Sequence, residues 1–269
     1  MAASVIFAAG YGSRMEGFAG NKTLLPLVPG PGPFQGKHPL IVEILQNLPE
    51  GPKALVLNHR KNEVIEATRD HGVFYCEQSV PNGTGGAILA AQGFIEEATQ
   101  EYCIITMGDV PFVRHATYRG LIRQLRNLDL IVLAFKPRDK AQYGVLETEG
   151  AAVKQVIEWR YWKDYPLERQ AHYTICNSGI YAARRSELLK YMEGLRGGAH
   201  QVKKHRNGCL EVVEEYFITD LVALMSDDGL KVGYSLVDDE NEVMGIDTLD
   251  DLRVAQHFFA HRDRELERF

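Results

Sequence analysis

The sequence predicts an α/β protein on a doubly wound, mostly parallel sheet, and three observations carry that class. Short β-rich runs alternate with helix-patterned segments through the first half, as crossover helices on a parallel sheet require. The first strand opens directly into a glycine loop, and a later strand is followed at once by a glycine–aspartate pair. Strands are expected at residues 4–7, 54–57, 73–76, 103–106 and 130–134. Helices are expected between them at 40–48, 63–69, 86–97 and 117–125, each with apolar residues near i, i+3 and i+4. Ligands of such sheets bind beyond the carboxyl ends of the strands, so the residues just after each strand are where chemistry is sought.

The remaining segments read as follows. Pro26-Leu27-Val28-Pro29-Gly30-Pro31-Gly32-Pro33 cannot continue a helix or a central strand and is expected as an irregular surface loop. From Arg138 the pattern turns hairpin-like, at 143–148, 152–159 and 172–182, which suggests a second layer attached to the sheet. A helix is expected at 186–195, a mobile loop at 196–208, a short helix around 221–225 and a strand at 232–237. Thr248-Leu249-Asp250-Asp251 reads as a capping-box start to a last helix, followed by a solvated charged tail after Ala260.

Composition narrows the class of partner. A chain of 269 residues has room for one large α/β domain or one domain with a subsidiary lobe. Its net charge of -6 argues against a nucleic-acid binder, whose surface should be basic, so any phosphate site must be local. The four cysteines, Cys76, Cys103, Cys176 and Cys209, lie far apart without a Cys-x-x-Cys pair. That usage fits a reduced, cytoplasmic protein with neither a disulfide framework nor a zinc site. The apolar start lacks a basic flank and stops at Gly10, and no run approaches the roughly 18 apolar residues of a membrane span. A soluble protein is expected.

The chemistry-bearing residues follow the strands. Val5-Ile6-Phe7-Ala8-Ala9-Gly10-Tyr11-Gly12-Ser13-Arg14, with Lys22 beyond it, can aim backbone N–H groups at an anion and add two positive charges. It is neither a Walker A loop nor a dinucleotide fingerprint, since Met15 stands where the latter needs glycine. An ordinary strand-to-helix turn is the plain alternative. Asp109, in Met107-Gly108-Asp109-Val110-Pro111, falls at the ligand-bearing end of the sheet, and Asp247 falls just before the last helix. Magnesium takes one or two carboxylates, with substrate phosphates and water completing its shell, so this pair suffices. Either aspartate can instead serve a turn or a cap.

Several motifs in register resemble a known family. Ala8-Ala9-Gly10-x-Gly12-x-Arg14 with Lys22 is followed by Gln78-x-x-x-x-Gly83-Thr84-Gly85, Gly108-Asp109-Val110-Pro111, Tyr143-Gly144, Glu158, Asn177-Ser178-Gly179-Ile180 and Tyr216-Phe217-Ile218-Thr219-Asp220. This set resembles the sugar-phosphate nucleotidyltransferases, most closely the uridylyltransferase domain of bacterial N-acetylglucosamine-1-phosphate uridyltransferases. The resemblance implies a Rossmann-like, GT-A-like fold with a smaller β-rich sugar lobe. It implies one domain over 1–269, with a nucleotide half (1–136), a sugar-binding lobe (137–220) and a return to the sheet (221–269).

It also implies roles. Ala8, Ala9, Gly10, Gly12, Arg14 and Lys22 would hold the triphosphate. Gln78, Gly83 and Thr84 would meet the base, the Gln78 amide donating to uracil O4 while accepting from N3–H. Gly144, Glu158 and Asn177 would line the sugar site, and Asp109 and Asp247 would bind Mg2+. Arg14, Lys22 and Asp109 would carry catalysis. The implied reaction joins a nucleoside triphosphate, UTP first, to a sugar 1-phosphate, N-acetylglucosamine 1-phosphate first, releasing pyrophosphate. Glucose 1-phosphate, or thymidylyl, cytidylyl or guanylyl transfer, is the alternative within the class, and a non-catalytic nucleotide-binding module is the alternative outside it. Three departures stand out: Gly20-Asn21-Lys22 replaces the usual Leu-Pro-Lys, Asp247 stands where uridylyltransferases usually have Asn and thymidylyltransferases Asp, and the proline-rich stretch is an insertion. The chain is too short for the hexapeptide-repeat acetyltransferase domain of those relatives, so acetyl transfer is not expected.

Overall fold

The computed structural model of the protein describes residues 1–10, 15–206 and 209–266. In chain order the strands are β1 (Ala2–Ala8), β2 (Pro26–Pro29), β3 (Gly36–Pro39), β4 (Lys53–Leu57), β5 (Phe74–Glu77), β6 (Tyr102–Met107), β7 (Leu130–Phe135), β8 (Val145–Glu149), β9 (Ala152–Ile157), β10 (Cys176–Arg184), β11 (His200–Arg206), β12 (Cys209–Glu215) and β13 (Val232–Leu236). A nine-stranded sheet of order β5-β4-β1-β6-β10-β7-β13-β9-β8 forms the body. β5, β4, β1 and β6 pair in parallel, as do β7 and β13.

Alternate residues of the central strands feed opposite faces, as the two-residue period of a strand dictates. Ile6, Leu55, Ile104 and Ile131 enter one core with Ile41 and Ile44 of helix Leu40–Asn47 and Tyr118 and Leu121 of helix His115–Gln124. Val5, Val56, Cys103 and Val132 enter the other with Ile88 of helix Gly83–Ala90, Leu188 of helix Arg185–Arg196 and Val222 of helix Asp220–Asp227. Both faces are therefore covered, which is why these strands read as unbroken apolar runs.

The second half departs from the expected layering. The segments expected as a separate layer belong to the same sheet, and β10 runs antiparallel in its middle, between β6 and β7. Flanked by strands and covered on both faces, Cys176–Arg184 carries too little alternation to announce its partner. A bulge between Asn177 and Ile180 bends it, and Gly179, at φ +82, supplies the left-handed residue. The 196–208 segment, expected as a loop, contains β11, which pairs antiparallel with β12. The proline-rich stretch is likewise ordered: β2 and β3 form a two-stranded ribbon whose prolines sit where no ladder N–H is needed. The expected helix at 86–97 is two helices, Gly83–Ala90 and Gln92–Glu97. The last helix runs Leu249–Leu266, past the residue where a solvated tail was expected.

A third apolar cluster lies beneath the proline ribbon, where Met15, Leu25, Leu27 and Ile246 pack with Leu252 and Ala255 of the last helix. Gln256 Nε2 donates to the carbonyls of Pro26 (2.8 Å) and Pro33 (2.9 Å), fastening ribbon to helix. Three segments far apart in sequence are thereby held together: the exit of the glycine loop, the ribbon and the stretch before Asp247.

Candidate active site

The carboxyl ends of β1, β4, β5 and β6 lie side by side, and the residues immediately beyond them converge. Gly108 N–H donates to the Phe7 carbonyl at 2.9 Å, which turns Asp109 across the end of β1. The Asp109 carbonyl accepts from Ile246 N–H at 3.0 Å, drawing the Asp247 segment alongside. Asp247 is then fixed by the start of the last helix: Asp251 Oδ2 accepts from Asp247 N–H (3.1 Å), Thr248 N–H (2.7 Å) and the Thr248 hydroxyl (2.8 Å). Thr248 Oγ1 in turn accepts from Asp251 N–H at 3.2 Å, so the expected capping box forms with aspartate as its acid.

Between the two carboxylates sits the Lys22 ammonium, 2.5 Å from Asp109 Oδ2 and 2.6 Å from Asp247 Oδ1. The Lys22 side chain is 11 % exposed. Burial pulls its pKa down, but the two carboxylates outweigh burial and leave it above the ordinary 10.5. Asn21, which sequence reasoning treated only as a departure, is what positions this lysine. Its Nδ2 donates to the carbonyls of Ala8 (3.2 Å) and His59 (2.8 Å), and its Oδ1 accepts from the Thr23 N–H (3.0 Å) and hydroxyl (2.8 Å). The turn Lys22–Leu24 is thus capped and clamped to the ends of β1 and β4.

Two oxygen-donor carboxylates brought to one point by unrelated segments fit a hard divalent cation that fills the rest of its shell with phosphate and water. Among the described residues no group of three or more His, Cys, Asp or Glu could hold a metal. An all-protein cage of the kind zinc or calcium needs is therefore not formed by them.

Of the expected phosphate loop, Ala8 and Ala9 are buried at the end of β1, and Gly10 is exposed. Among the described residues nothing lies within 4 Å of a Cβ built at Gly10, and Gly10 is not among the residues with positive φ. Gly12 and Arg14 lie outside the described residues.

Gln78 follows β5 directly, its N–H donating to the Leu57 carbonyl (2.9 Å) and its own carbonyl accepting from Asn58 Nδ2 (2.6 Å). Its side-chain Nε2 donates to Asn82 Oδ1 (3.0 Å) and to the Gly83 carbonyl (2.9 Å). Both hydrogens of that nitrogen are engaged within the protein, so the donor half of the expected base contact is already spent. A cavity of about 340 Å3 opens here, lined in part by Gln78, Asn82, Gly86 and Tyr216. Gly83 takes φ +92, and a Cβ there would come within 2.5 Å of the Tyr216 carbonyl. The Thr84 hydroxyl accepts from Ile218 N–H at 3.1 Å, and Gly85 N–H donates to Tyr216 at 2.7 Å. Asn82 and the first turn of helix Gly83–Ala90 are thereby bound to the 216–218 segment.

Gly144, Glu158 and Asn177 come together at the β8–β9–β10 corner. Asn177 N–H donates to the Gly144 carbonyl at 2.8 Å, and a Cβ on Gly144 would lie 3.8 Å from Glu158 Oε2. The Asn177 amide accepts from Gly179 N–H (2.9 Å) and donates to the Tyr181 hydroxyl (2.7 Å), so its side chain shapes the bulge. Glu158 accepts from the Thr219 hydroxyl at 2.8 Å. Burial pushes its carboxyl above the usual 4.5, more strongly than Thr219 and Arg160 pull it down. A cavity of about 440 Å3 opens beside Glu158. Its wall includes His200, bonded to Asp220 Oδ2 (2.8 Å) and Tyr161 Oη (2.9 Å) and stacked on Phe217 with ring centroids 4.5 Å apart. Phe217, Thr219 and Asp220 belong to a sequence motif with no assigned role, and only the fold shows that this segment joins helix Gly83–Ala90 to the β8–β9–β10 corner.

Known proteins share this architecture and sequence pattern. The crystal structure of the uridine diphosphate N-acetylglucosamine pyrophosphorylase from Trypanosoma brucei superposes with a TM-score of 0.72 over 94% of this chain and 64% of that one, at 14% identity. A putative glucose-1-phosphate thymidylyltransferase from Bacillus anthracis gives 0.65 over 96% and 95%, at 19% identity. Both show the fold: a nucleotidyltransferase-like α/β arrangement on a mixed central sheet. In sequence, the bifunctional protein GlmU of Cereibacter sphaeroides is 29% identical over 97% of this chain and 52% of its own length. That of Roseobacter denitrificans is 28% identical over 97% and 53%. The chain spans about half the length of these curated relatives. The resemblance read from the motifs is therefore borne out. Residues 4–208, which hold Gly10, Gln78, Asp109, Glu158 and Asn177, match the MobA-like NTP transferase domain, and the chain belongs to that family.

Proposed function

We propose that the protein transfers a nucleotidyl group from a nucleoside triphosphate, UTP, to a sugar 1-phosphate, N-acetylglucosamine 1-phosphate, with release of pyrophosphate. The observation that carries this reading is the meeting of Lys22, Asp109 and Asp247 beyond the ends of β1 and β6, although Lys22 and Asp247 stand 225 positions apart in sequence. In this reading residues 1–136 bind the triphosphate and residues 137–220 the sugar, with Gly144, Glu158 and Asn177 at its hydroxyl and acetamido groups. Ala8, Ala9, Gly10 and Gly12 bring backbone N–H groups to the phosphates, and Arg14 adds charge.

The acceptor phosphate is already ionised near neutral pH, so the chain need supply no general base. Its work is to align the acceptor oxygen with the α-phosphorus and to neutralise charge on the departing pyrophosphate. Lys22 and Arg14 supply that neutralisation. Asp109 and Asp247 would hold Mg2+, which supplies electrophilic charge and a template for the phosphates. Glu158 and Asn177 orient the sugar and so the acceptor phosphate.

A second reading, thymidylyl transfer to glucose 1-phosphate, is favoured by Asp247 and by the Bacillus anthracis structural neighbour. The test is pyrophosphate release in magnesium, crossing UTP, dTTP, CTP, GTP and ATP with N-acetylglucosamine 1-phosphate, glucose 1-phosphate and other sugar 1-phosphates. The proposal expects the highest rate for UTP with N-acetylglucosamine 1-phosphate. Nucleotide binding without pyrophosphate from any pair would overturn it in favour of a binding module.

A further inference from the structure

Gln78 stands at the carboxyl end of β5, tied by backbone to the end of β4, and is 6 % exposed. Which end of its amide faces a ligand is decided by its fixed neighbours. The Gly83 carbonyl, 2.9 Å away, can only accept, so the atom facing it must be the nitrogen. The second hydrogen of that nitrogen goes to Asn82 Oδ1 at 3.0 Å. Asn82 precedes helix Gly83–Ala90 but makes no side-chain cap bond to it, so its amide is committed to Gln78 instead. Gly86 makes the arrangement possible, since a Cβ there would lie 1.7 Å from Asn82 Oδ1 and 2.9 Å from Gln78 Nε2.

We infer that Asn82 is a specificity-determining positioning residue: it consumes the second N–H of Gln78, so that Gln78 offers an incoming base an acceptor only. This rests on the reading of Gln78 as a base contact. An acceptor-only group pairs with the N3–H that uracil and thymine carry. It meets a lone pair at N3 of cytosine, and the site has no hydrogen left on Gln78 to repair the mismatch. Turning the amide over would set two carbonyl oxygens, Gln78 Oε1 and that of Gly83, against each other. The ligand class is therefore a nucleoside triphosphate with an imide pyrimidine base.

The experiment is equilibrium binding of UTP and CTP, without sugar phosphate, to wild type, Asn82→Leu and Asn82→Asp. Wild type is expected to prefer UTP by about ten-fold or more, the size of one unmatched polar contact. Asn82→Leu frees an N–H on Gln78 and should shrink the UTP:CTP ratio by about three- to ten-fold. Asn82→Asp still only accepts, holds that N–H and should keep the wild-type ratio. A merely structural role for Asn82 would weaken both nucleotides alike and leave the ratio unmoved. Equal binding of UTP and CTP by wild type, no binding of either, or the same ratio change in both variants would overturn the inference. A UTP preference with the expected variant pattern but no pyrophosphate release would sustain it while removing the transferase reading.

Discussion

Replacing Lys22 by methionine keeps the apolar stem and removes only the ammonium between Asp109 and Asp247. Stripping one partner from a fully buried pair costs about 3–5 kcal/mol, whereas an exposed pair contributes about 0.2–1 kcal/mol. Here the lysine side chain is 11 % exposed and the carboxylates 27 % and 33 %, so the site sits between these limits. A cost of about 2 kcal/mol is expected. At about 2–4 °C per kcal/mol for a chain of this size, the melting temperature should fall by roughly 4–8 °C. Asp109 and Asp247, relieved of that ammonium, should then bind magnesium more readily than in wild type. Millimolar magnesium should accordingly raise the melting temperature of Lys22→Met by more than that of wild type. The pH dependence has a definite sign. The folded pKa of Lys22 lies above 10.5, so its contribution is fully present below 10.5 and is lost as pH rises through the higher folded value. The gap between wild type and variant should therefore be constant through neutral pH and close in strong alkali. Thermal unfolding by circular dichroism, with and without magnesium, reads all of this. An unchanged melting temperature, or a fall that magnesium does not selectively repair, would refute the convergence of the three charges.

Two further predictions follow from the same geometry. Gly108→Ala would place a Cβ 2.7 Å from the Phe7 carbonyl and 2.8 Å from Thr23 Cγ2. The expected cost is about 1–3 kcal/mol by denaturant titration, with a weakened magnesium response because Asp109 shifts too. Glu158→Gln should raise the melting temperature at pH 7: the folded carboxyl titrates above 4.5, so the stability linked to its neutral form is present below 4.5 and lost as pH rises through the folded value. The two melting curves should converge at acid pH, while the variant loses affinity for the sugar phosphate.

The parts of this molecule that could be read from sequence are those where one local pattern has one structural meaning. The runs of β1, β4, β6 and β7 are apolar on both faces, and a parallel central strand is what such a run usually is. Asp109 was singled out because the ligand-bearing end of its strand follows from the strand's direction, whereas Gln78 was named only through the family resemblance. β10 was misplaced for the converse reason, since an antiparallel strand in the middle of the sheet has the same two-sided burial as its parallel neighbours. The ribbon around Pro26–Pro29 was missed because prolines exclude a central strand but not an edge pairing. The site was legible as a set of residue types, not as a set of bonds. Nothing local in Gly20-Asn21-Lys22 says that Asn21 will clamp the end of β1, or that Gln78 will spend both hydrogens on its own loop.

Pyrophosphate release by Asp109→Ala beside wild type, in magnesium with saturating UTP and N-acetylglucosamine 1-phosphate, tests the central claim most directly. Loss of a carboxylate that organises metal and phosphates should lower turnover by about 100-fold or more. The melting temperature should move by no more than a few degrees. Turnover within about three-fold of wild type at equal magnesium, well short of that loss, would contradict the account.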